Sequence, residues 1–132
     1  MSRIMGQIWA VLILSDEALC ASDLVDVLSI SKGSVSTNIR TLESMGVLER
    51  RSRIGARQEY FYITSNPYSA LIHAQIARVD RTKQIVSDAR ARISKPATRS
   101  KLAEFERFYG VLHEKLFLVA DELKATSEDA DK

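Results

Sequence analysis

The stretch Ser31-Lys32-Gly33-Ser34-Val35-Ser36-Thr37-Asn38-Ile39-Arg40-Thr41-Leu42-Glu43-Ser44-Met45-Gly46 decides the fold, because at about 100° per residue it separates into two unlike faces. Val35, Ile39 and Leu42 fall within a narrow arc, while Gly33, Ser36, Thr37, Arg40 and Ser44 gather on the opposite side. A face that only keeps a helix soluble usually carries Lys and Glu. This one carries small polar residues and a single Arg, so it can approach another surface closely. Arg, Ser and Thr are also residue types that hydrogen-bond base edges and phosphates, and the face is shaped for a DNA groove. Ser31 is placed to cap the helix, and Gly46 to end it in the left-handed conformation.

Upstream, Ile4, Ile8, Trp9, Val11 and Leu12 mark a helix from Arg3 to Leu14, ended by Ser15-Asp16-Glu17. A short helix follows from about Ser22, which can cap its free N–H groups, through Leu28, and Ser29-Ile30-Ser31 connects it to the opening stretch. Two short helices joined in this way make a helix-turn-helix. Downstream the period becomes extended. Val47 to Arg53 and Gln58 to Thr64 read as strands joined by the turn Ile54-Gly55-Ala56-Arg57, a β-hairpin wing. Asn66-Pro67 then supplies a cap and a first helical residue.

Two long helices follow, about 67–93 and 98–124, parted by Ser94-Lys95-Pro96. In the last, Leu102, Phe105, Tyr109, Leu112, Leu116, Val119 and Leu123 form an unbroken heptad seam. Ile72, Ile76, Val79, Val86 and Ile93 keep a similar rhythm in the preceding helix, interrupted by Lys83 and Arg90. At 1.5 Å per residue each helix would extend roughly 40 Å, more than a small module can cover, so they read as dimerisation helices. The expected fold is mainly α with a small β-hairpin wing: a winged helix-turn-helix in residues 1–66, two long C-terminal dimerisation helices in 67–124, and a polar acidic tail in 125–132 expected to fray.

The 132 residues carry a net charge of only +2, so placement of charge matters more than its sum. Between residues 29 and 60, Lys32, Arg40, Arg50, Arg51, Arg53 and Arg57 outnumber Glu43, Glu49 and Glu59. From Glu114 onward acidic residues prevail, which sets the tail apart from any DNA contact. The single cysteine, Cys20, excludes an intramolecular disulfide framework and multi-cysteine zinc sites, and implies a reducing cytoplasm. The apolar start to Leu14 superficially resembles a signal peptide. Gln7 interrupts it, it is too short to span a membrane, and no small-residue cleavage pattern follows, so it reads as a buried helix and no membrane partner is expected. His73 and His113 lack a second metal ligand at useful spacing, and no catalytic constellation or phosphate loop is present. The chain is expected to be no enzyme and to need no metal or cofactor.

The run Ser31 to Arg40, with Leu42-Glu43, Met45-Gly46-Val47, the wing segment Gly55-Ala56-Arg57-Gln58-Glu59-Tyr60-Phe61, and the early Gly6-Gln7-Ile8-Trp9 and Leu12-Ile13-Leu14-Ser15-Asp16-Glu17, resembles the GbsR-type branch of the MarR-like transcriptional regulators. The likeness covers roughly residues 4 to 64. It implies a winged domain that binds operator DNA as a homodimer, and some members control choline or glycine betaine uptake and synthesis genes. A DNA-binding motif does not carry the regulated pathway with it.

On this reading the helix lies in the major groove of double-stranded DNA, with Ser36, Thr37 and Arg40 nearest base edges, Ser34 or Lys32 at phosphates, Ser31 among the DNA-binding residues at the helix start, and Gly33 permitting close approach. Arg51, Arg53 and Arg57 concentrate charge around the wing tip, Arg53 and Arg57 foremost because Glu49 and Glu59 can neutralise their neighbours. A homodimer would read a pseudo-palindromic operator and repress by occluding a promoter. The rival readings are a winged protein-interaction module without DNA binding and a nonspecific architectural DNA binder. Cys20 before a helix start suits either a redox sensor or a small buried residue. Trp9, Tyr68, Phe105, Phe108 and Tyr109 suit either an aromatic cage for a choline or glycine betaine type of effector or ordinary core packing.

Overall fold

The computed structural model describes residues 1–130, and side chains through residue 126. Along the chain run α1 (Arg3–Leu14), β1 (Leu19–Cys20), α2 (Ala21–Leu28), α3 (Lys32–Ser44), β2 (Leu48–Ser52), β3 (Glu59–Ile63), α4 (Pro67–Arg92) and α5 (Pro96–Ala130). Contacts divide it into a first unit, Met1–Ala70, and a second beginning at Leu71.

In the first unit the helix starts follow side-chain chemistry. The Met5 N–H donates to Ser2 Oγ at 3.2 Å, and the Ser34 N–H donates to Ser31 Oγ at 3.1 Å, so Ser31 caps α3 as its sequence predicts. At α2 the expectation fails. Cys20, not Ser22, occupies the cap position, because its backbone is already fixed by pairing with Tyr60. The Asp23 carboxylate reaches back to accept from the Cys20 N–H at 2.8 Å. That bond holds the Asp23 pKa below its ordinary value. Ser22 instead lies beside Cys20 Sγ at 3.0 Å and donates to Gln58 Oε1 at 3.3 Å.

The end of α3 is closed by two reversed hydrogen bonds, Gly46 N–H to Glu43 O at 2.9 Å and Val47 N–H to Leu42 O at 3.1 Å. They form a Schellman motif around Gly46, whose φ of +72° favours a residue without Cβ. Its usual apolar contact position is filled by Val47 and Leu42, both fully buried.

The sheet is antiparallel in the order β1-β3-β2. β3 pairs on one side with β2, from Leu48 opposite Ile63 to Ser52 opposite Glu59. On the other it pairs with β1, Leu19 opposite Phe61. β1 is absent from the sequence reading because two residues cannot display an alternating period. Ile8 of α1, Leu24 of α2, Val35, Ile39 and Leu42 of α3, and Leu48 of β2 are at most 2% exposed and make one core. Burying each such side chain contributes about 1.5–3 kcal/mol before chain entropy is set against it.

In the second unit Ile76, Val79 and Val86 of α4 and Ala120 of α5 are buried. The two charges that interrupt the α4 seam share a partner on α5. Arg90 Nη1 donates to Glu106 Oε2 at 2.6 Å, and that bond, with help from Ser87 and the Lys83 charge, lowers the Glu106 pKa. His113 Nε2 lies 3.7 Å from Asp80 Oδ1. α5 continues to Ala130 through residues whose polarity suggested fraying. Ala and Glu there are strong helix formers with no Gly or Pro to stop them. Residues 131–132 of the expected tail lie outside the described residues.

Gly46→Ala should lower stability by about 1–2 kcal/mol, the cost of a left-handed L-residue. Its Cβ would also sit 3.4 Å from the Ala70 Cβ. Urea unfolding should report a lower midpoint at unchanged slope; an unchanged midpoint would contradict the motif's role. For Glu106, a pKa lowered from 4.5 means a stabilisation present above that value and lost as pH falls through the folded-state pKa. Unfolding of Glu106→Gln followed from pH 7 to 3 should therefore lose less stability on acidification than the parent does.

Candidate nucleic-acid interface

With Val35, Ile39 and Leu42 turned into the core, α3 presents Ser31, Lys32, Gly33, Ser36, Thr37 and Arg40 to solvent, with Ser34 half-buried. The polar residues on this face differ in what they already bind. Ser31 Oγ is occupied by the cap. The Ser34 carbonyl accepts from Asn38 Nδ2 at 2.8 Å, and Asn38 in turn accepts from Ser2 Oγ at 3.1 Å. By contrast, the side chains of Lys32, Ser36, Thr37 and Arg40 make no hydrogen bond or ion pair among the described residues. No Cβ obstacle lies within 4 Å of Gly33. The face is exposed, small and unsatisfied, with its donors uncommitted.

The wing is more structured than its sequence suggests. Alternation along the paired strands puts Glu49, Arg51, Tyr60 and Tyr62 on one face. Arg51 pairs with Glu49 and lies 4.9 Å from the centre of the Tyr62 ring. Arg53 lies 4.1 Å over the Tyr60 ring and donates from both Nε and Nη2 to Tyr62 Oη, each at 3.2 Å. These tyrosines hold the Arg53 guanidinium in place, and the hydrogen bond raises its pKa further. Arg57 has no such partner among the described residues. On the other face Arg50 is bound to Glu43 at 3.0 Å and Glu59 at 3.3 Å. Burial opposes its charge, and the two carboxylates more than offset that. Arg50 is thereby committed within the fold, joining α3 to both strands of the wing.

Sequence reasoning placed α3 and the wing arginines but missed Tyr60 and Tyr62 as their supports. The alternation of Glu59-Tyr60-Phe61-Tyr62-Ile63 carried that signal, since it sets Tyr60 and Tyr62 on one side and Phe61, only 5% exposed, on the other.

The other candidates are distributed as follows. Cys20 is buried. Trp9 packs on Tyr68 with ring centres 6.0 Å apart, and its indole N–H has no partner among the described residues. Phe105, Phe108 and Tyr109 instead stack on one another in α5, at 4.8 and 5.3 Å. Of the heptad residues, Tyr109 and Leu112 line a cavity with Val79 of α4 and so face their own chain. Leu102, Leu116 and Leu123 are half-buried, and Phe105 and Val119 are exposed. Phe108, Val111 and Leu118 are exposed as well. Among the described residues no cluster of His, Cys, Asp or Glu could hold a metal ion, and no helix is long and apolar enough to cross a membrane.

This geometry agrees with comparison to known proteins. A crystal structure of a transcriptional regulator superposes with a TM-score of 0.79 over 97% of this chain and 87% of its own, at 23% identity. The fold is the winged helix-turn-helix. Residues 8–50, from α1 through α3 into β2, match the model of the bacterial regulatory protein, arsR family. The HTH-type transcriptional regulator MmpR5 of Mycobacterium tuberculosis is 32% identical over 71 residues, which cover 53% of this chain and 43% of that protein. The chain thus spans less than half the length of the curated relative it matches. The matched family segment contains the whole helix-turn-helix.

Proposed function

We infer that this chain is a sequence-specific DNA-binding transcriptional regulator, a cytoplasmic homodimeric repressor that reads a pseudo-palindromic operator. The observation that carries this reading is the α3 face, where Ser36, Thr37 and Arg40 stand exposed with no partner among the described residues beside a wing edged with arginine. In the major groove those three residues meet base edges, Ser31, Lys32 and Ser34 meet phosphates, and Gly33 lets the backbone come close. Arg51, Arg53 and Arg57 serve the flanking groove from the wing. The similarity to bacterial regulators over the helix-turn-helix supports the same reading. Residues 1–66 form the DNA-binding part.

Dimerisation belongs to residues 67–124. Phe105 and Val119 of the heptad supply it together with Phe108, Val111 and Leu118, whose exposure leaves a stripe of apolar surface along α5; half-buried Leu102, Leu116 and Leu123 flank the stripe, while Tyr109 and Leu112 pack toward their own chain. Resemblance to the GbsR-type branch adds a small effector of choline or glycine betaine type. A cavity of about 380 Å³, lined among others by Asp16, Glu17, Tyr62 and Tyr68, offers such a cation carboxylates and aromatic rings.

Retardation of promoter fragments tests the DNA reading. Arg40→Ala should reduce preference for the operator by about 1–3 kcal/mol, and Arg57→Ala should weaken all sequences alike and lower the salt slope by about one. Arg50→Ala should leave the slope unchanged, because Arg50 already has two carboxylate partners. Unaltered site preference in Arg40→Ala would contradict its role at base edges, whereas a parent protein that retards no fragment would favour a protein-interaction module and one that retards all fragments alike a nonspecific binder. For the dimer, Phe108→Glu with Leu118→Glu should shift sedimentation equilibrium from dimer to monomer; a variant that remains fully dimeric would contradict the stripe's role.

A further inference from the structure

Ile54 stands at the end of the wing with a relative exposure of 108%, above every other large apolar side chain among the described residues. Its position is built rather than loose. The Ala56 N–H donates to the Arg53 carbonyl at 3.1 Å, closing a four-residue turn in which Gly55 takes φ +80°. This is the third-position conformation of a type II turn, and Ile54 fills the second position. Arg53, on its N-terminal side, is clamped by Tyr60 and Tyr62. A Cβ on Gly55 would meet nothing within 4 Å. The tip therefore carries a stiff, β-branched apolar side chain on a fixed turn, beside one immobilised arginine and the uncommitted Arg57.

Resting on the DNA-binding reading above, we propose that Ile54 is an apolar minor-groove reader that selects A·T pairs beneath the wing. The neighbouring guanidiniums supply the attraction to phosphates that brings an apolar tip to DNA, and the narrow minor groove, about 6 Å wide, suits a thin turn. Sequence preference follows from one functional group. The minor-groove edge of A·T and T·A pairs presents acceptors only, whereas G·C adds the guanine N2 amino donor. An isoleucine side chain fills the space that amino group occupies and offers it no acceptor, leaving a desolvated donor unpaired. Ile54 thus acts by rejecting G·C rather than by bonding to A·T.

The decisive reagent is inosine, because an I·C pair keeps the major-groove edge of G·C but lacks the minor-groove amino group. A duplex of roughly 30 base pairs, about three helical turns, is selected from a random library with the wild-type protein. Its A·T pairs are then replaced one at a time by G·C and by I·C, and affinities are measured at fixed salt. At the flanking positions reached by the wing, G·C should weaken wild-type binding about tenfold, and I·C should restore it. Ile54→Ala should bind the three duplexes within about threefold of one another, with the salt slope unchanged, since no charge is removed. Ile54 is wholly exposed, so the substitution is expected to leave folding intact, as circular dichroism can verify. Full retention of the A·T preference in Ile54→Ala, or I·C binding as poorly as G·C, would overturn the proposal while leaving the regulator reading in place. Failure of the wild type to select any sequence would overturn both. Cosedimentation of wild type but not Ile54→Ala with phosphatidylglycerol vesicles, alongside identical DNA binding by the two, would overturn it in favour of a lipid surface.

Discussion

Val35, Ile39 and Leu42 of α3, each at most 1% exposed, pack into the same core as Ile8 and Leu24, and this anchoring governs the rest of the first unit. A helix with three fully buried positions on one side has no rotational freedom left, so the opposite side is fixed outward. The Schellman closure at Gly46 extends the constraint. It turns the chain directly from α3 into buried Val47 and Leu48, so that the wing starts from the core rather than from a loose linker. Arg50 then joins Glu43 of α3 to Glu59 of β3. Exposed ion pairs of this kind contribute little individually, and their effect here is to set geometry.

On the proposed DNA-binding reading, α3 and the wing are consequently unlike in their preparation. On α3 the donors are uncommitted, as would suit the proposed contacts, whose geometry DNA would complete. On the wing, Tyr60 and Tyr62 restrict Arg53 beforehand, which would lower the entropy lost in the proposed phosphate contact. Arg51 spends part of its charge on Glu49, while Arg57 stays without a partner among the described residues. The local excess of positive charge is thus divided between residues that build the wing and residues available to a partner.

Much of this was legible in the sequence wherever a period was long enough to display itself. The three-and-four spacing in α3, the caps at Ser31 and Asn66, and the switch to alternation after Gly46 each correspond to an observed element. The two-residue β1 could not be read, because its existence depends on pairing with Phe61 and Tyr60 and on no local pattern. The same nonlocal pairing displaced the α2 cap from Ser22 to Cys20. In α4, Arg90 at a seam position looked like a flaw until Glu106 on α5 answered it. The exposed Ile54 was visible in the sequence as a turn residue, but its isolation is a property of the folded hairpin.

In α5 the apolar residues fall into two groups. Tyr109 and Leu112 turn toward Val79 of the same chain, while Phe105, Phe108, Val111, Leu118 and Val119 remain exposed. A heptad count alone merges these groups, since it records spacing and not which neighbour each residue meets. The central claim, that α3 and the wing form half of a symmetric DNA reader, is tested most directly by incubating the protein with fragments of its own genome and sequencing those retained. The account predicts enrichment of an inverted repeat whose half-sites lie about one helical turn apart. Retention with no enriched sequence, or no retention, would contradict it.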